Sequence, residues 1–106
     1  MTPYSIRITR RALDDMEAIY TYIANDLQSP ENAMSQYNRI ADAIESLASF
    51  PLRHRLFDSQ PERQLGFRLM PVDNFAAVYT TSEAEVIVLR VLYSKSDVIG
   101  RLRDNR

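Results

Sequence analysis

The run Val86-Ile87-Val88-Leu89-Arg90-Val91-Leu92-Tyr93 has the composition of a β-strand, yet it carries a charged Arg90 among apolar neighbours and ends on a tyrosine. Burying an unpaired guanidinium is costly, so such an arginine either meets a carboxylate or lines an open surface. Arg68 interrupts the run Phe67-Arg68-Leu69-Met70 in the same way. Asp73, Glu85 and Asp97 are candidate salt-bridge partners for the two arginines. Without such a partner, two arginines on neighbouring strands form a small anion-binding site.

Working outward, three strand candidates occupy residues 67–72, 75–81 and 86–93, separated by Asp73-Asn74 and Ser82-Glu83-Ala84. Both separators are short enough for an antiparallel meander. Alternation places Phe67 and Leu69 on one face and Arg68 and Met70 on the other. In the last strand it groups Ile87, Leu89 and Val91 against Val86, Val88, Arg90 and Leu92. With the helices over the first set, both arginines point from an uncovered face. Tyr93 then lies on the helix side and joins the arginines only if the strand ends or bulges near Leu92.

Ahead of the meander, Tyr4-Ser5-Ile6-Arg7-Ile8 alternates like a half-buried strand, and Thr9 offers a helix N-cap. Leu13, Met16, Tyr20, Ile23 and Leu27 then recur at helical spacing, as do Ala33, Tyr37, Ile40, Ile44 and Leu47. Ser29-Pro30-Glu31 reads as the start of the second helix, which should stop near Phe50-Pro51. Two seams joined by a short Gln28-Ser29 connection predict an antiparallel helical hairpin whose stripes serve core packing. Residues 51–66 show no period and form a long loop carrying Arg53, His54, Arg55 and Arg63. The tail, residues 94–106, is polar and basic, with Val98, Ile99 and Leu102 as apolar anchors; it reads as a short helix or a disordered arm. The order strand, helix, helix, strand, strand, strand predicts a single α+β domain over residues 1–106.

The 106 residues suffice for a hydrophobic core without metal or disulfide, and there is no cysteine to supply either a disulfide or a thiol nucleophile. No apolar run approaches the roughly 18 residues that span a bilayer. Met1-Thr2-Pro3-Tyr4-Ser5 lacks a basic start followed by an apolar stretch, so no signal peptide and a cytoplasmic location are expected. Net charge is −1. Residues 1–50 hold four Arg against seven acids, and residues 51–106 hold eight Arg and Lys95 against seven. Arginine makes up twelve of the thirteen basic residues, which favours planar contacts to carboxylate or phosphate. The near-neutral total argues against a protein wrapped on nucleic acid.

The order and spacing of these motifs resemble the RelE/ParE superfamily of bacterial toxin–antitoxin toxins. The similarity is carried by the helix Leu13 to Ile23, the helix end Ala43 to Pro51, Phe67-Arg68-Leu69, Asn74-Phe75 through Val78-Tyr79, and Ile87 to Tyr93. It covers almost the whole chain. The resemblance implies the superfamily fold, a cognate antitoxin that wraps the toxin, operator DNA reached only through that antitoxin, no cofactor or metal, and no membrane. It also implies one of two targets. RelE-like toxins cut mRNA on the ribosome without a metal, whereas ParE-like toxins poison DNA gyrase.

The Ile44-to-Pro51 segment and the strand end near Asp97 look closer to the ParE branch. This chain has Tyr93 where that branch often has His, and Ser96 where it has a second basic residue; Lys95 keeps one.

Metal-free RNA cleavage needs a base, donors for the phosphorane oxygens and an acid. In a nuclease, Arg68 and Arg90 would supply the donors and Tyr93 the base or acid. The tyrosine's pKa near ~10 would have to fall beside those arginines. His54 is a weaker candidate, titrating nearer neutrality if the loop folds over the sheet. A pI of about 5.8 with one lysine suits docking on rRNA poorly. The reading is therefore a ParE-like toxin that inhibits growth by binding a replication target such as DNA gyrase. The alternatives are a ribosome-dependent mRNA endoribonuclease and a degenerate member that only binds its antitoxin.

Overall fold

The computed structural model describes residues 3–104, so Met1-Thr2 at the start and Asn105-Arg106 at the end of the tail lie outside the described residues. Strand β1 spans Ser5–Ile8, and helix α1 spans Arg10–Thr21 and continues into a π-helical turn, Tyr22–Asp26. Helix α2 (Pro30–Ser46) is followed by strands β2 (Arg68–Val72), β3 (Phe75–Thr81) and β4 (Glu85–Tyr93), then by helix α3 (Val98–Arg103). The architecture is the α+β arrangement read from the sequence, with the tail resolved as a short helix.

Local chemistry sets the element boundaries. Thr9 caps α1, its Oγ1 accepting from the Ala12 amide at 3.2 Å. Pro30 opens α2 with Glu31 in the first turn, but the Ser29 hydroxyl makes no capping bond. The β2–β3 turn is the two-residue Asp73-Asn74, with Asp73 at φ 55°, a conformation short polar side chains tolerate. The Asp73 carboxylate accepts from Gln36 Nε2 at 3.0 Å and Arg39 Nε at 2.7 Å, tying that turn to α2.

The four strands form one sheet in the order β1-β4-β3-β2, antiparallel except that β1 pairs with β4 in parallel. The hairpin packs one face, burying Ala12, Met16, Ile40, Ile44 and Leu47 against Met70, Ala77, Tyr79, Val86, Val88 and Val91. The second seam buries as its period requires, apart from a half-buried Tyr37; of the first, Met16 is buried, Leu13, Tyr20 and Ile23 are half-buried, and Leu27 remains 56% exposed.

The facing of β4 differs from simple alternation. Tyr79 pairs with Val88 and Val78 with Arg90, leaving Leu89 as the extra residue of a bulge. The bulge shifts the phase, so Val86, Val88 and Val91 all face the helices. Arg68 shares its face with Met70 and its partner Tyr79, the helix side, whereas Arg90 shares the opposite face with Val78. The two arginines therefore lie on opposite faces, with β3 between their strands.

That opposite face is not uncovered, because its residues Ala76, Val78 and Leu92 are buried. The long loop and α3 supply the cover and are fastened together. Arg103 donates to both Glu62 carboxylate oxygens at 2.9 Å and to the Gln60 carbonyl at 2.8 Å. The loop itself adds a bridge between Leu56 and Arg68 at the outer edge of β2.

Candidate functional site

Arg90 is where the expected anion site is overturned. Its Nε and Nη2 donate to the two carboxylate oxygens of Asp15 at 2.7 and 2.9 Å, and Nη1 donates to the Arg101 carbonyl at 3.1 Å. Both charged side chains are about nine-tenths buried, at 9% and 11% exposure. The partner is none of Asp73, Glu85 or Asp97. The reason lies in the sheet edge. Strand β1 ends at Ile8, opposite Val88, so the next stretch of β4 has an open side. Thr9 covers the start of it, its amide donating to the Val88 carbonyl and its hydroxyl to the Leu89 carbonyl. Asp15, farther along α1, accepts the Val91 amide at 2.9 Å and from there grips Arg90. The hydrogen bond to Asp15 holds the Arg90 guanidinium above its ordinary pKa.

Arg68 is committed elsewhere. Its Nη1 donates to the carbonyls of Leu52 at 3.2 Å and His54 at 2.7 Å, stitching the loop to the end of β2. Beneath that stitch the Tyr79 hydroxyl donates to the Pro51 carbonyl at 2.6 Å. Burial pushes the Tyr79 phenol above its usual pKa, against the opposing charge of Arg68.

His54 stands edge-on to the Tyr79 ring, with centroids 6.3 Å apart. Its Nε2 is buried without a hydrogen-bond partner. Burial first, and the Arg53 charge second, lower its pKa, so the imidazole is neutral at pH 7. It is not aligned with Arg90.

Tyr93 is 44% exposed and meets Phe75 edge-to-face at 6.0 Å. It lies on the helix side, paired with Phe75 across the β3–β4 ladder. With Ile19, Tyr22, Ile23, Phe75 and Val91 it lines an open, largely apolar groove of about 670 Å³ between the hairpin and the free edge of β4. Neither Arg68 nor Arg90 is hydrogen-bonded to it. Of the four candidate residues, Arg68 at the start of β2 and His54 on the loop come together through the His54 carbonyl, while Arg90 and Tyr93 occupy separate surroundings. Asp15 was missed. An acid on an amphipathic helix, beside other acids and 75 residues before its partner, carries no local signal. Among the described residues, no group of three or more His, Asp or Glu is placed to hold a metal ion. Among the same residues no helix is long and apolar enough to cross a membrane.

Solved structures with this fold include chains of toxin–antitoxin systems. A chain of the chromosomal ParDE system from P. aeruginosa is 24% identical, with a TM-score of 0.73 over 87% of this chain and 97% of that one. A chain of the RelBE2 complex from Mycobacterium tuberculosis is 18% identical, with a TM-score of 0.62 over 86% and 98%. The archaeal RelE–RelB complex from Pyrococcus horikoshii OT3 gives 12% identity and a TM-score of 0.59 over 90% and 98%. No curated protein sequence matches. A family model described as the ParE toxin of the type II toxin–antitoxin system parDE matches residues 6–98. With that model spanning nearly the whole described chain, and the sheet and hairpin placed as above, the protein belongs to the ParE toxin family of type II toxin–antitoxin systems.

Proposed function

We propose that this ParE-type toxin arrests growth by binding a protein of the replication machinery such as DNA gyrase, in the cytosol, and is neutralised by a cognate antitoxin. The observation that carries the reading is the commitment of its arginines. Phosphoryl chemistry needs cationic donors converging on one oxygen cluster. Here Arg90 is closed on Asp15 and Arg68 on two loop carbonyls, on opposite faces of the sheet. Neither arginine is hydrogen-bonded to Tyr93, since Arg68 and Arg90 are both held by other partners. An RNA-cleaving site built from these three residues would need both ion-pair and loop contacts to break first.

The apolar groove beside Tyr93 suits an antitoxin segment. It has a long apolar wall from the hairpin, and Tyr22 and Tyr93 are half exposed at its mouth. An amphipathic helix laid along it would bury both rings.

Supercoiling by purified gyrase is the direct test. Inhibition at stoichiometric toxin, relieved by the antitoxin, is the expected result. Full supercoiling together with cut mRNA in a ribosome-bound translation assay would replace this reading with the nuclease one.

A further inference from the structure

Between α2 and β2 the chain makes one excursion, Ser49-Phe50-Pro51-Leu52-Arg53, whose carbonyls are gripped from several sides. Arg53 Nη1 donates to the carbonyls of Ser46, Ser49 and Phe50 at 3.2, 2.9 and 3.4 Å. Its Nη2 reaches Ser46 Oγ at 2.6 Å. Tyr79 holds the Pro51 carbonyl, and Arg68 holds those of Leu52 and His54. Pro51 is buried, yet Phe50 and Leu52 on either side of it are 78% and 55% exposed. Phe50 also sits at φ 55°, in the left-handed region that a bulky residue rarely adopts.

A rigid backbone thus presents two apolar side chains to water, one of them from a strained position. Among the described residues the Phe50 ring stays mostly in water, so little packing offsets its backbone conformation. Such strain persists only where the surroundings over-determine it, and it clusters at functional segments. Rigid, preorganised apolar side chains are what a binding surface uses as anchors, because little entropy is lost on docking.

Phe50 and Leu52 rim an open apolar groove of about 690 Å³ that also includes Tyr4, Ala48 and Pro51. A knob beside a groove could in principle serve a two-fold contact between copies. Charge decides against it. The groove's lining includes Arg53 and no acid, so two copies would set Arg53 against Arg53. Arg55 lies 3.9 Å from Asp58, but both side chains are almost fully exposed, and so loose a pair leaves the guanidinium able to turn to a partner. A partner with an apolar pocket rimmed by carboxylates satisfies both the anchors and the charge.

We propose that Phe50 and Leu52 are the apolar anchors by which the toxin docks into an acidic-rimmed pocket on its protein target, with Arg55 meeting the rim. Arg53, Arg68 and Tyr79 are positioning residues for that surface. The inference rests on the reading that the toxin acts by binding a protein, and it names the surface used.

The test is growth arrest on expression of the full chain, wild type against Phe50→Gly/Leu52→Ser, with Arg55→Glu as a second variant. Glycine suits the left-handed backbone at position 50, so the double variant keeps its fold. Its thermal midpoint should be unchanged or raised, and its complex with the cognate antitoxin retained. The toxin level needed for arrest should rise at least about tenfold for the double variant. It should rise for Arg55→Glu as well, whose side chain is exposed and whose change leaves the core untouched.

Arrest by either folded variant at the wild-type level would overturn the proposal. Loss of antitoxin affinity by the double variant would give the surface to the antitoxin. A wild-type dimer in size-exclusion chromatography that the double variant abolishes would give it to a second copy. Either result overturns the assignment. Wild-type toxin that arrests no growth would instead fail the reading on which the inference rests.

Discussion

Asp15 and Arg90 close on each other through two parallel hydrogen bonds, and the Asp15 oxygen that takes Arg90 Nε also accepts the Val91 amide. One carboxylate thus neutralises a buried guanidinium and completes the open edge of β4. Removing one partner leaves the other charge buried and unpaired, which costs about 3–5 kcal/mol. Asp15→Ala should cost that much in urea denaturation and strand the Val91 amide as well. The double variant Asp15→Leu/Arg90→Leu should recover part of the loss, because no charge is then left behind. If the two single losses simply add, the pair is not coupled as drawn. The same result bears on function. Inactivity of Arg90→Ala is interpretable only beside its stability.

The fastening of α3 should fail in acid. Hydrogen bonds from Arg103, then from Ser59, lower the Glu62 pKa from 4.5 to about 2. A carboxylate whose folded pKa is depressed contributes stability that is complete above the unfolded value. That contribution is lost as pH falls through the folded one. The window is therefore from about 4.5 down to about 2. Glu62→Gln should flatten the pH dependence of the thermal midpoint across that window. Hydrogen exchange in Val98–Arg103 should rise with it. An unaltered acid limb in the variant would mean that the linkage lies elsewhere.

What could be read from the chain beforehand followed the periodic part of the fold. Met16, Ile40, Ile44 and Leu47 bury where a 3.6-residue repeat puts them, and Thr9 caps where its position predicts. The two arginines were legible as anomalies but not as an arrangement. One extra residue at Leu89 inverts the facing of everything after it, and period-two reasoning has no means to detect a bulge that lacks a glycine. Asp15 sits among other acids on α1 and declares nothing until β1 is seen to stop short of it. Gln36, buried on α2 for the sake of Asp73, is equally silent in sequence.

His54 offers a clean titration, because it is the single histidine of the chain. Burial and the Arg53 charge lower its pKa below 6.5. Between that lowered value and 6.5 the unfolded state binds more protons, so stability should rise with pH there and level off above 6.5. A proton NMR titration of the imidazole should report a midpoint below 6.5 in the folded protein. In His54→Asn the stability increment across the same range should vanish. A midpoint at or above 6.5 would contradict the buried, unpartnered Nε2.

Tyr79 and Arg68 hold successive carbonyls of one loop, at Pro51 and at Leu52 and His54. Tyr79→Phe removes a hydroxyl and leaves the buried Pro51 carbonyl without its donor, a loss of about 1–3 kcal/mol. Arg68→Ala frees two carbonyls that are nearer to water, so it should cost less. Both variants let the same backbone segment relax, so their effects should fall short of additive when combined. Hydrogen exchange of the amides from Leu52 to Phe57 is the local readout, and urea denaturation the global one. Faster exchange confined to that segment in Arg68→Ala, with β4 still protected, identifies Arg68 as a clamp on the loop. Unchanged exchange there, with activity lost, would return Arg68 to the role of a residue that touches the target or its phosphates.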